Sequence, residues 1–388
     1  MASSFSVVYI ITGLGTGGAE MMLYKLLSNI NRGLFAPVVV SLMDRGTLGD
    51  KIEALGIPIY PIGMQQGKPT PASIGRLIYT IRQLKPDLIQ GWMYHGNLAA
   101  QLAKGFVYKP VPVLWSVRNS LYSLDYEKAR TGAVIKLGAK LSPLPNQIIY
   151  NSKISAKQHE KVGYKPNKSV VLPNGFDTEI FAPLREAAVG VRLELGIPIN
   201  TILIGLIARY HPVKDHANFL QAAALLQKNY PDLPIHFLLS GTEVDRDNQS
   251  LECLVKELGL VERIHLLGER QDIPRLTAAL DIASSSSYTE AFSNVIGEAM
   301  SCGVPCVVTD VGDSAWIVSS TGRVIPPRNP QALAIAWKEL IDLGAEGRAV
   351  LGKAARARVI EHFSITSVVA QYETLYKTVL SQTLRQNI

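Results

Sequence analysis

The sequence predicts an α/β protein built from two doubly wound domains in tandem, and three observations support this prediction. A length of 388 residues is more than one hydrophobic core usually organises. Short apolar runs alternate with helical patterns of about ten residues, which is typical of parallel sheets covered by helices on both faces. The alternation stops at a turn-rich segment and then begins again, so one domain follows the other along the chain.

In the first half, strand-sized apolar runs alternate with segments of helical periodicity. The predicted strands are VVYIIT, PVVVSLM, IPIYPI and DLIQGW, and the predicted helices lie at Ala19–Asn29, near 48–55 and near 72–84. The segment LPNGFDTEIFAP, residues 172–183, contains the proline and glycine that mark a change of domain. The first domain is therefore predicted to comprise residues 1–178.

The second half repeats the alternation. Its predicted strands are TILIGLIARY, IHFLLSG, IHLLG, DIASSSS and PCVVTD, with helices at 215–228, 248–258, 272–279 and from Asn294 onward. These elements define a second domain over residues 179–362. A last helix at 365–380 has apolar residues at helical spacing, namely Val368, Tyr372, Leu375, Tyr376 and Val379. Its own domain offers this face no surface to cover, so residues 363–388 are predicted to cross back to the first domain.

Composition narrows the class of protein. Hydrophobic residues make up 47% of the chain and charged residues 18%, which is an ordinary globular composition. The apolar runs are far shorter than the ~20 residues of a membrane span, and no basic segment leads into an apolar one at the start, so a cytoplasmic protein is expected. Cys253, Cys302 and Cys306 form no C-x-x-C pair and are expected to be free, buried thiols.

Positive charge is concentrated in the first half. Residues 1–180 contain 20 Lys and Arg against 10 Asp and Glu, whereas residues 181–388 contain 19 against 22. The segment KARTGAVIKLGAKL mixes basic and apolar residues at the spacing of a surface helix. Two interpretations stay open, a solvated basic face or peripheral contact with an anionic membrane at its inner face. Nucleic acid is not expected as a partner.

The stretch IITGLGTGGAE, residues 10–20, raises the question of a dinucleotide site. Gly13, Gly15 and Gly18 have the G-x-G-x-x-G spacing that holds a pyrophosphate, and Asp44 is a candidate carboxylate for a ribose. However, backbone amides at the start of a helix bind any diphosphate, whether or not it belongs to NAD. The glycines alone therefore leave a nicotinamide-dependent oxidoreductase as one alternative.

The stretch SSSSYTEAFSNVIGEAMSCGVPCVVTD in the second domain is more specific. Glu290 lies in a loop that leads to a helix with Ser293 as its predicted N-cap. The backbone amides at this helix start are expected to face a diphosphate and belong to Phe292, Ser293, Asn294 and Val295. Glu298, one turn later, has the position to accept both hydroxyls of a ribose, and Glu290 has the position to hold those of an attached sugar.

Two cations follow the first strand of the second domain, in ARYHPVKDH. Ligands of open α/β folds bind at the carboxyl ends of the strands, so Arg209 and Lys214 are expected to neutralise a diphosphate leaving group. No metal or other cofactor is then expected. Asp245 and Asp247 match the D-x-D pattern of metal-dependent transferases, but they lie in a polar loop and are interpreted as a solvated turn.

In this order, GLGTGGAE, LPNGFD, ARYHPVKDH, EAFSNVIGEAMSCGVP and GRVIPPRNP resemble the retaining glycosyltransferases of the GT-B fold, in the large family-4 group that uses sugar nucleotides. The resemblance implies two Rossmann-like domains and transfer of a sugar from a nucleotide diphosphate, of the UDP or GDP type, with retained configuration. It also implies a front-face displacement in which the departing phosphate helps to deprotonate the acceptor. The acceptor is either lipid-linked or a small molecule, in polysaccharide or glycoconjugate biosynthesis.

The resemblance also implies residue roles. Arg209 and Lys214 would bind the diphosphate, Glu298 the ribose and Glu290 the donor sugar. The glycine turn would approach the diphosphate from the first domain through Gly15, Gly17 and Gly18.

This sequence departs from the family at two places. Arg118 stands where many members have histidine, and Trp316 stands where they have a second glutamate. His95, at the end of a first-domain strand, therefore joins Arg118 and Glu290 as a candidate catalytic residue. The alternatives are a sugar-nucleotide epimerase on the same fold, the oxidoreductase and a non-catalytic sugar-binding protein.

Overall fold

A computed structural model describes residues 4–65, 68–121 and 128–386. The chain divides into two compact units, which are called unit 1 (Met1–Gly175 with Ile365–Ile388) and unit 2 (Phe176–Ser364). Each unit has one central sheet whose strands are all parallel, with helices packed on both faces. The predicted fold class, two doubly wound α/β halves with a C-terminal helix on the first of them, is confirmed.

Unit 1 contains a seven-stranded sheet in the order β3-β2-β1-β4-β5-β6-β7. Its strands are β1 (Phe5–Ile11), β2 (Phe35–Ser41), β3 (Ile59–Pro61), β4 (Leu88–Trp92), β5 (Val113–Val117), β6 (Gln147–Tyr150) and β7 (Ser169–Val171). Its first six helices are α1 (Gly18–Asn29), α2 (Gly49–Ala54), α3 (Pro71–Leu84), α4 (Met93–Lys104), α5 (Ala129–Leu141) and α6 (Lys153–Lys161). The central strands β1, β4 and β5 are almost wholly buried, which is why their sequences are mostly apolar.

Unit 2 contains a six-stranded sheet in the order β10-β9-β8-β11-β12-β13. Its strands are β8 (Ile202–Ile207), β9 (Ile235–Ser240), β10 (Ile264–Leu266), β11 (Ile282–Ser285), β12 (Cys306–Thr309) and β13 (Gly322–Ile325). Its helices are α7 (Arg185–Glu194), α8 (His216–Asn229), α9 (Gln249–Glu257), α10 (Ile273–Ala278), α11 (Asn294–Ser301), α12 (Ser314–Val318), α13 (Pro330–Asp342) and α14 (Gly344–His362).

The last helix, α15 (Ile365–Gln386), completes the core of unit 1. Tyr372 and Tyr376 are wholly buried among side chains of β1, β2 and α1. The Tyr376 hydroxyl donates to Gln90 Oε1 and lies 3.1 Å from the Tyr9 hydroxyl, and the Tyr376 ring meets Phe35 edge-on. The helix therefore belongs to unit 1 although it follows unit 2 in the chain.

Several details differ from the sequence-based expectations. Helix α4 begins at Met93 directly after β4, so His95 lies in the first turn of this helix and not at the end of the strand. This tight connection brings α4 against β1, where a Cβ atom on Gly96 would collide with the Ile10 carbonyl oxygen. In unit 2, helices α7, α12, α13 and α14 and strand β13 were not predicted. Cys253 is exposed, in contrast to the buried Cys302 and Cys306. Within the described ranges, no helix has the length and apolarity needed to cross a membrane.

A buried histidine makes unit 1 sensitive to acid. The His159 ring is fully buried and lies between the Ser155 carbonyl oxygen and the Tyr94 hydroxyl, each 2.8 Å from one ring nitrogen. Because a carbonyl oxygen only accepts, Nδ1 carries the proton and Nε2 accepts from Tyr94. Burial lowers the pKa of His159 to about 4 from its ordinary value of 6.5.

We expect the free energy of unfolding to fall as the pH decreases from 6.5 to 4. In this window the unfolded chain binds a proton that the folded His159 excludes, so acid favours unfolding, by about 3 kcal/mol once the pH is well below 4. Urea unfolding followed by circular dichroism at several pH values measures the slope. His159→Gln should reduce the slope but not abolish it, because burial also lowers the pKa of His216 and His236 to about 4. Tyr94→Phe, which keeps the titrating ring, should leave the slope unchanged. An equal slope in His159→Gln and the wild type would contradict the assignment.

Candidate functional site

The donor residues that were predicted in the second half of the chain follow two neighbouring strands of unit 2, where the strand order reverses. From β8 the chain proceeds outward through β9 and β10 on one side, and then returns to continue through β11, β12 and β13 on the other. Strands β8 and β11 are therefore neighbours whose following connections lead to opposite sides of the sheet, and the carboxyl ends of such strands are where open α/β sheets bind ligands. The loop after β8 carries Arg209 and Lys214, and the loop after β11 carries Glu290.

Lys214 and Glu290 form an ion pair across this point. Their side chains are 22% and 14% exposed, so the two charges are largely withdrawn from bulk water. Arg209 is exposed, and within the described ranges it forms no ion pair, with Asp215 or any other acid. The structure therefore brings Lys214 and Glu290 into contact and leaves the Arg209 guanidinium at the surface of the same loop.

A run of serines holds this ion pair in place. Ser287 Oγ donates to Glu290 Oε1 (3.0 Å), the same oxygen that accepts from Lys214 Nζ. Ser286 Oγ donates to the Lys214 carbonyl oxygen (2.8 Å). The sequence analysis did not identify Ser286 or Ser287 as functional. Four successive serines at the end of a buried strand were the available signal, since buried hydroxyls need partners.

Asp215, which follows Lys214, ends the turn after β8 and begins α8. Its backbone is left-handed (φ 52°), and its side chain accepts from the Asn218 amide (3.2 Å) as the helix N-cap. Burial raises the pKa of Asp215, and the hydrogen bond from the Asn218 amide opposes the shift. The residue therefore fixes where α8 starts, and with it the direction in which Lys214 leaves the loop.

Helix α11 starts beside this ion pair. Ser293 is its N-cap by backbone geometry, as predicted, but the hydroxyl does not cap the helix. Ser293 is only 3% exposed, and its Oγ has no hydrogen-bond partner in the part of the chain that the structure describes. Phe292, one residue earlier, packs against Phe176 and Trp316 and anchors this loop in the core. A buried hydroxyl without a partner at a helix N-terminus fits a site that an anionic or hydroxylated ligand completes.

Glu298 lies in the second turn of α11 and is half-buried. Together with Val295, Ile207 and Ser284 it lines a small cavity between the helix and the sheet. The pKa of the Cys302 thiol is raised to about 12, mainly by burial and to a smaller extent by the negative charge of Glu298. This thiol therefore stays protonated and unreactive. Asn294 begins the helix and is also half-buried.

The loop after β12 supports the Glu290 loop and was missed by the sequence analysis. Gly312 has a left-handed backbone (φ 55°), and a Cβ atom there would collide with the Glu290 carbonyl oxygen. The Asp313 amide donates to the Ala291 carbonyl oxygen (3.0 Å). Gly312 therefore permits a close approach of two backbones, which explains why only glycine fits there.

In unit 1, the glycine turn occupies the end of β1. Gly17 is the N-cap of α1, Gly18 is its first residue, and Gly15 is exposed with open space around it. Glu20 curls back toward this turn, and its carboxylate would collide with a Cβ atom on Gly17. His95 is exposed, and partial desolvation lowers its pKa.

Arg118 is buried at the end of β5. Its Nη1 donates to the Tyr372 hydroxyl (2.8 Å) and its Nη2 donates to Asn174 Oδ1 (2.6 Å). The guanidinium carbon lies 4.8 Å from the centre of the Trp92 ring. Arg118 is thus part of a packed network in unit 1 and is only 6% exposed.

Two other carboxylates that the sequence analysis considered, Asp245 and Asp44, accept hydrogen bonds within local turns. Asp245 Oδ1 accepts from the amides of Asp247 (3.1 Å) and Asn248 (3.2 Å), which is the turn that the sequence suggested. Asp44 is exposed and accepts from the Gly46 amide (3.0 Å). Both carboxylates are therefore used to shape local backbone.

Each half of the chain is similar to a different glycosyltransferase family model. Residues 16–180 match the family model described as Glycosyltransferase Family 4, and residues 201–342 match the model described as Glycosyl transferases group 1. D-inositol 3-phosphate glycosyltransferase of Corynebacterium urealyticum is 34% identical over 190 residues, which cover 46% of this chain and 45% of that protein. The chain spans about half the length of the first curated relatives it matches.

A second relative aligns over a longer stretch, and a solved structure shares the fold. N-acetyl-alpha-D-glucosaminyl L-malate synthase of Bacillus anthracis is 26% identical over 286 residues, which cover 73% of this chain and 72% of that protein. The crystal structure of HepE from Anabaena in complex with UDP superimposes with a TM-score of 0.83 at 22% identity, covering 96% of this chain and all of that one. The shared fold is therefore the same pair of α/β halves.

Proposed function

We propose that this chain, a glycosyltransferase of the GT-B fold, moves a sugar from a nucleotide-diphosphate donor to an acceptor with retention of configuration. The observation that carries the proposal is the contact of Lys214 with Glu290 at the strand-order reversal of unit 2, next to the unpartnered Ser293 hydroxyl. Cation, carboxylate and helix start are the groups that a diphosphate joined to a sugar requires. The UDP complex of HepE, a structural neighbour, supports a nucleotide-sugar donor.

The proposed role of each residue follows from the charge of its side chain. Lys214, Arg209 and the amides at the start of α11 neutralise the negative charge that develops on the leaving diphosphate. Glu290 and Glu298 accept hydrogen bonds from sugar and ribose hydroxyls. Backbone amides at the start of α1 are contributed by Gly15, Gly17 and Gly18. The departing phosphate accepts the proton that the acceptor hydroxyl loses.

The proposal is tested by incubating the chain with UDP-, GDP- and ADP-sugars and candidate acceptors. Mass spectrometry identifies the released nucleotide and the glycosylated product, and nuclear magnetic resonance of the product gives the anomeric configuration. We expect one nucleotide to be released in proportion to product with retained configuration. An altered sugar still attached to its nucleotide, without product, would indicate an epimerase and contradict the proposal.

No metal is required by the proposed chemistry, because Lys214, Arg209 and a helix N-terminus already supply positive charge at the leaving group. We expect the rate of sugar transfer to change less than about twofold in excess EDTA. The rate is measured by nucleotide release before and after addition of the chelator. Loss of activity that Mg²⁺ or Mn²⁺ restores would contradict a metal-independent transfer and would make Asp245 and Asp247 candidate metal ligands.

The acceptor is proposed to be lipid-linked, with unit 1 making peripheral contact with an anionic membrane. Arg130, Lys136 and Lys140 are exposed on α5, and Leu137 on the same helix is 47% exposed. Leu144, just after the helix, is 50% exposed. Exposed leucines between basic residues are typical of helices that lie in a lipid interface.

Charge removal on α5 is expected to weaken binding to anionic liposomes. Each basic residue near a charged leaflet contributes about 1 kcal/mol, so changing Arg130, Lys136 and Lys140 to Gln should lower the partition coefficient about 100-fold at low salt. Co-sedimentation with vesicles of increasing anionic content measures it.

The matched control removes three positive charges from α6 and the segment after it, by changing Lys157, Lys161 and Lys165 to Gln. These side chains are also exposed in unit 1, so the control separates a specific face from net charge. We expect a smaller loss in the control. If the wild-type protein does not co-sediment with anionic vesicles at low salt, the membrane proposal is wrong and the acceptor is a soluble molecule.

A further inference from the structure

Arg118 is a buried cation that has hydrogen-bond partners but no carboxylate partner. Its guanidinium contacts three neutral acceptors, the Tyr372 hydroxyl, Asn174 Oδ1 and Ser116 Oγ. Across residues 4–65, 68–121 and 128–386, no carboxylate lies within 4.0 Å of it, and its Nε donates to no acceptor. Three of the five guanidinium N–H groups are therefore bonded, and in the part of the chain that the structure describes the Nε–H, one Nη2–H and the positive charge have no acceptor or anionic partner.

Such an arrangement is unfavourable unless something completes it. Taking an ion out of water costs far more than neutral hydrogen bonds return, and an arginine cannot escape the cost by losing its proton. A buried, unsatisfied donor in a native protein needs an explanation, and a ligand that is bound during function is a common one. The complement of a guanidinium with a free Nε is an anion.

The surroundings fix the guanidinium in one plane. The Trp92 ring lies beneath it at 4.8 Å, and the Trp92 indole N–H is itself held by the Ala19 carbonyl oxygen (2.9 Å). Tyr372 and Asn174 hold the two Nη atoms. A planar, immobilised fork is preorganised for the two oxygens of a carboxylate or phosphate. It lies at the carboxyl end of β5, the sheet edge where α/β folds bind ligands.

We propose that Arg118 binds an anionic group, a carboxylate or a phosphate ester, carried by the acceptor. Tyr372 is a positioning residue, which reaches the site from the C-terminal helix α15 and orients the guanidinium without touching the ligand. The inference rests on the proposed function, because it assigns a chemical class to the acceptor of that transfer.

The test follows the Nε–H signal of Arg118 by nuclear magnetic resonance of the whole chain during titration with inorganic phosphate, acetate or pyrophosphate. The signal is assigned by its absence in Arg118→Lys and by its displacement in Tyr372→Phe. We expect a saturable shift with phosphate or acetate, and the anion that acts at the lower concentration identifies the acceptor group. No shift with either, or a shift with pyrophosphate alone, which would assign Arg118 to the donor, overturns the inference.

Two tyrosine variants distinguish positioning from stability. Tyr372→Phe should weaken anion binding about fivefold or more, because the guanidinium loses one of its anchors. Tyr376→Phe removes a hydroxyl from the same helix that contacts Gln90 instead, and should leave anion binding unchanged. Equal affinity in Tyr372→Phe and the wild type would refute the positioning role. Sugar transfer that persists while the Arg118 signal never moves would leave the proposed function intact and reject this inference alone.

Discussion

Replacing Lys214 with alanine is expected to lower kcat/KM for sugar transfer by a factor of about 10² to 10³. Lys214 supplies positive charge where the diphosphate leaves, and loss of one such stabilising group costs about 3–4 kcal/mol in other enzymes. The substitution also leaves the Glu290 carboxylate, which is 14% exposed, without its cation. Steady-state kinetics with the donor identified by the nucleotide-sugar panel measures the effect.

A lysine elsewhere in unit 2 provides the control. Lys338 is 24% exposed, close to the 22% of Lys214, and it pairs with Asp342 on α13, whose side chain is 59% exposed and lies away from the site. Lys338→Ala should retain nearly full activity, and Lys214→Arg, which keeps the charge, should recover part of what Lys214→Ala loses. Similar kinetics in Lys214→Ala and Lys338→Ala would remove Lys214 from the donor site.

The positions of the main elements could be predicted because parallel strands buried on both faces have a distinct pattern. Strands such as β1 and β8 are nearly continuous apolar runs, and the glycines and polar residues that follow them mark their carboxyl ends. From this alone, Lys214 and Glu290 could be assigned to one sheet edge. Helix α14 escaped prediction because its buried residues, among them Gly352, Ala355 and the charged Arg348, form no apolar stripe.

The contacts within the site could not be predicted, since they depend on residues far apart in sequence. The ion pair joins positions separated by 76 residues, and nothing in the sequence indicates that Ser287 shares an oxygen of Glu290 with Lys214. Arg118 is a stronger case. A charged residue after a strand is ordinarily exposed, and its burial follows from Tyr372, which is 254 residues away on a helix that returns to unit 1.

Ending the chain at Ser364, which deletes α15, is expected to abolish the cooperative folding of unit 1 while unit 2 keeps its own transition. The helix contributes seven buried side chains to the core of unit 1: Ile365, Val368, Val369, Tyr372, Tyr376, Val379 and Leu380. At about 1.5–3 kcal/mol each, their loss exceeds 10 kcal/mol, which is comparable to the whole stability of a domain.

Calorimetry of the shortened chain should therefore lose the unit 1 transition, and a chain ending at Ser381 serves as its control because it keeps all seven side chains. Tyr376→Phe probes the same interface more gently, since it leaves the buried Gln90 side chain without its hydroxyl donor. We expect it to lower the stability of unit 1 by about 1–3 kcal/mol. A chain ending at Ser364 that retains both transitions would show that the first sheet folds without α15. In that case α15 would not be needed for the folding of unit 1, and its remaining role would be the contact of Tyr372 with Arg118.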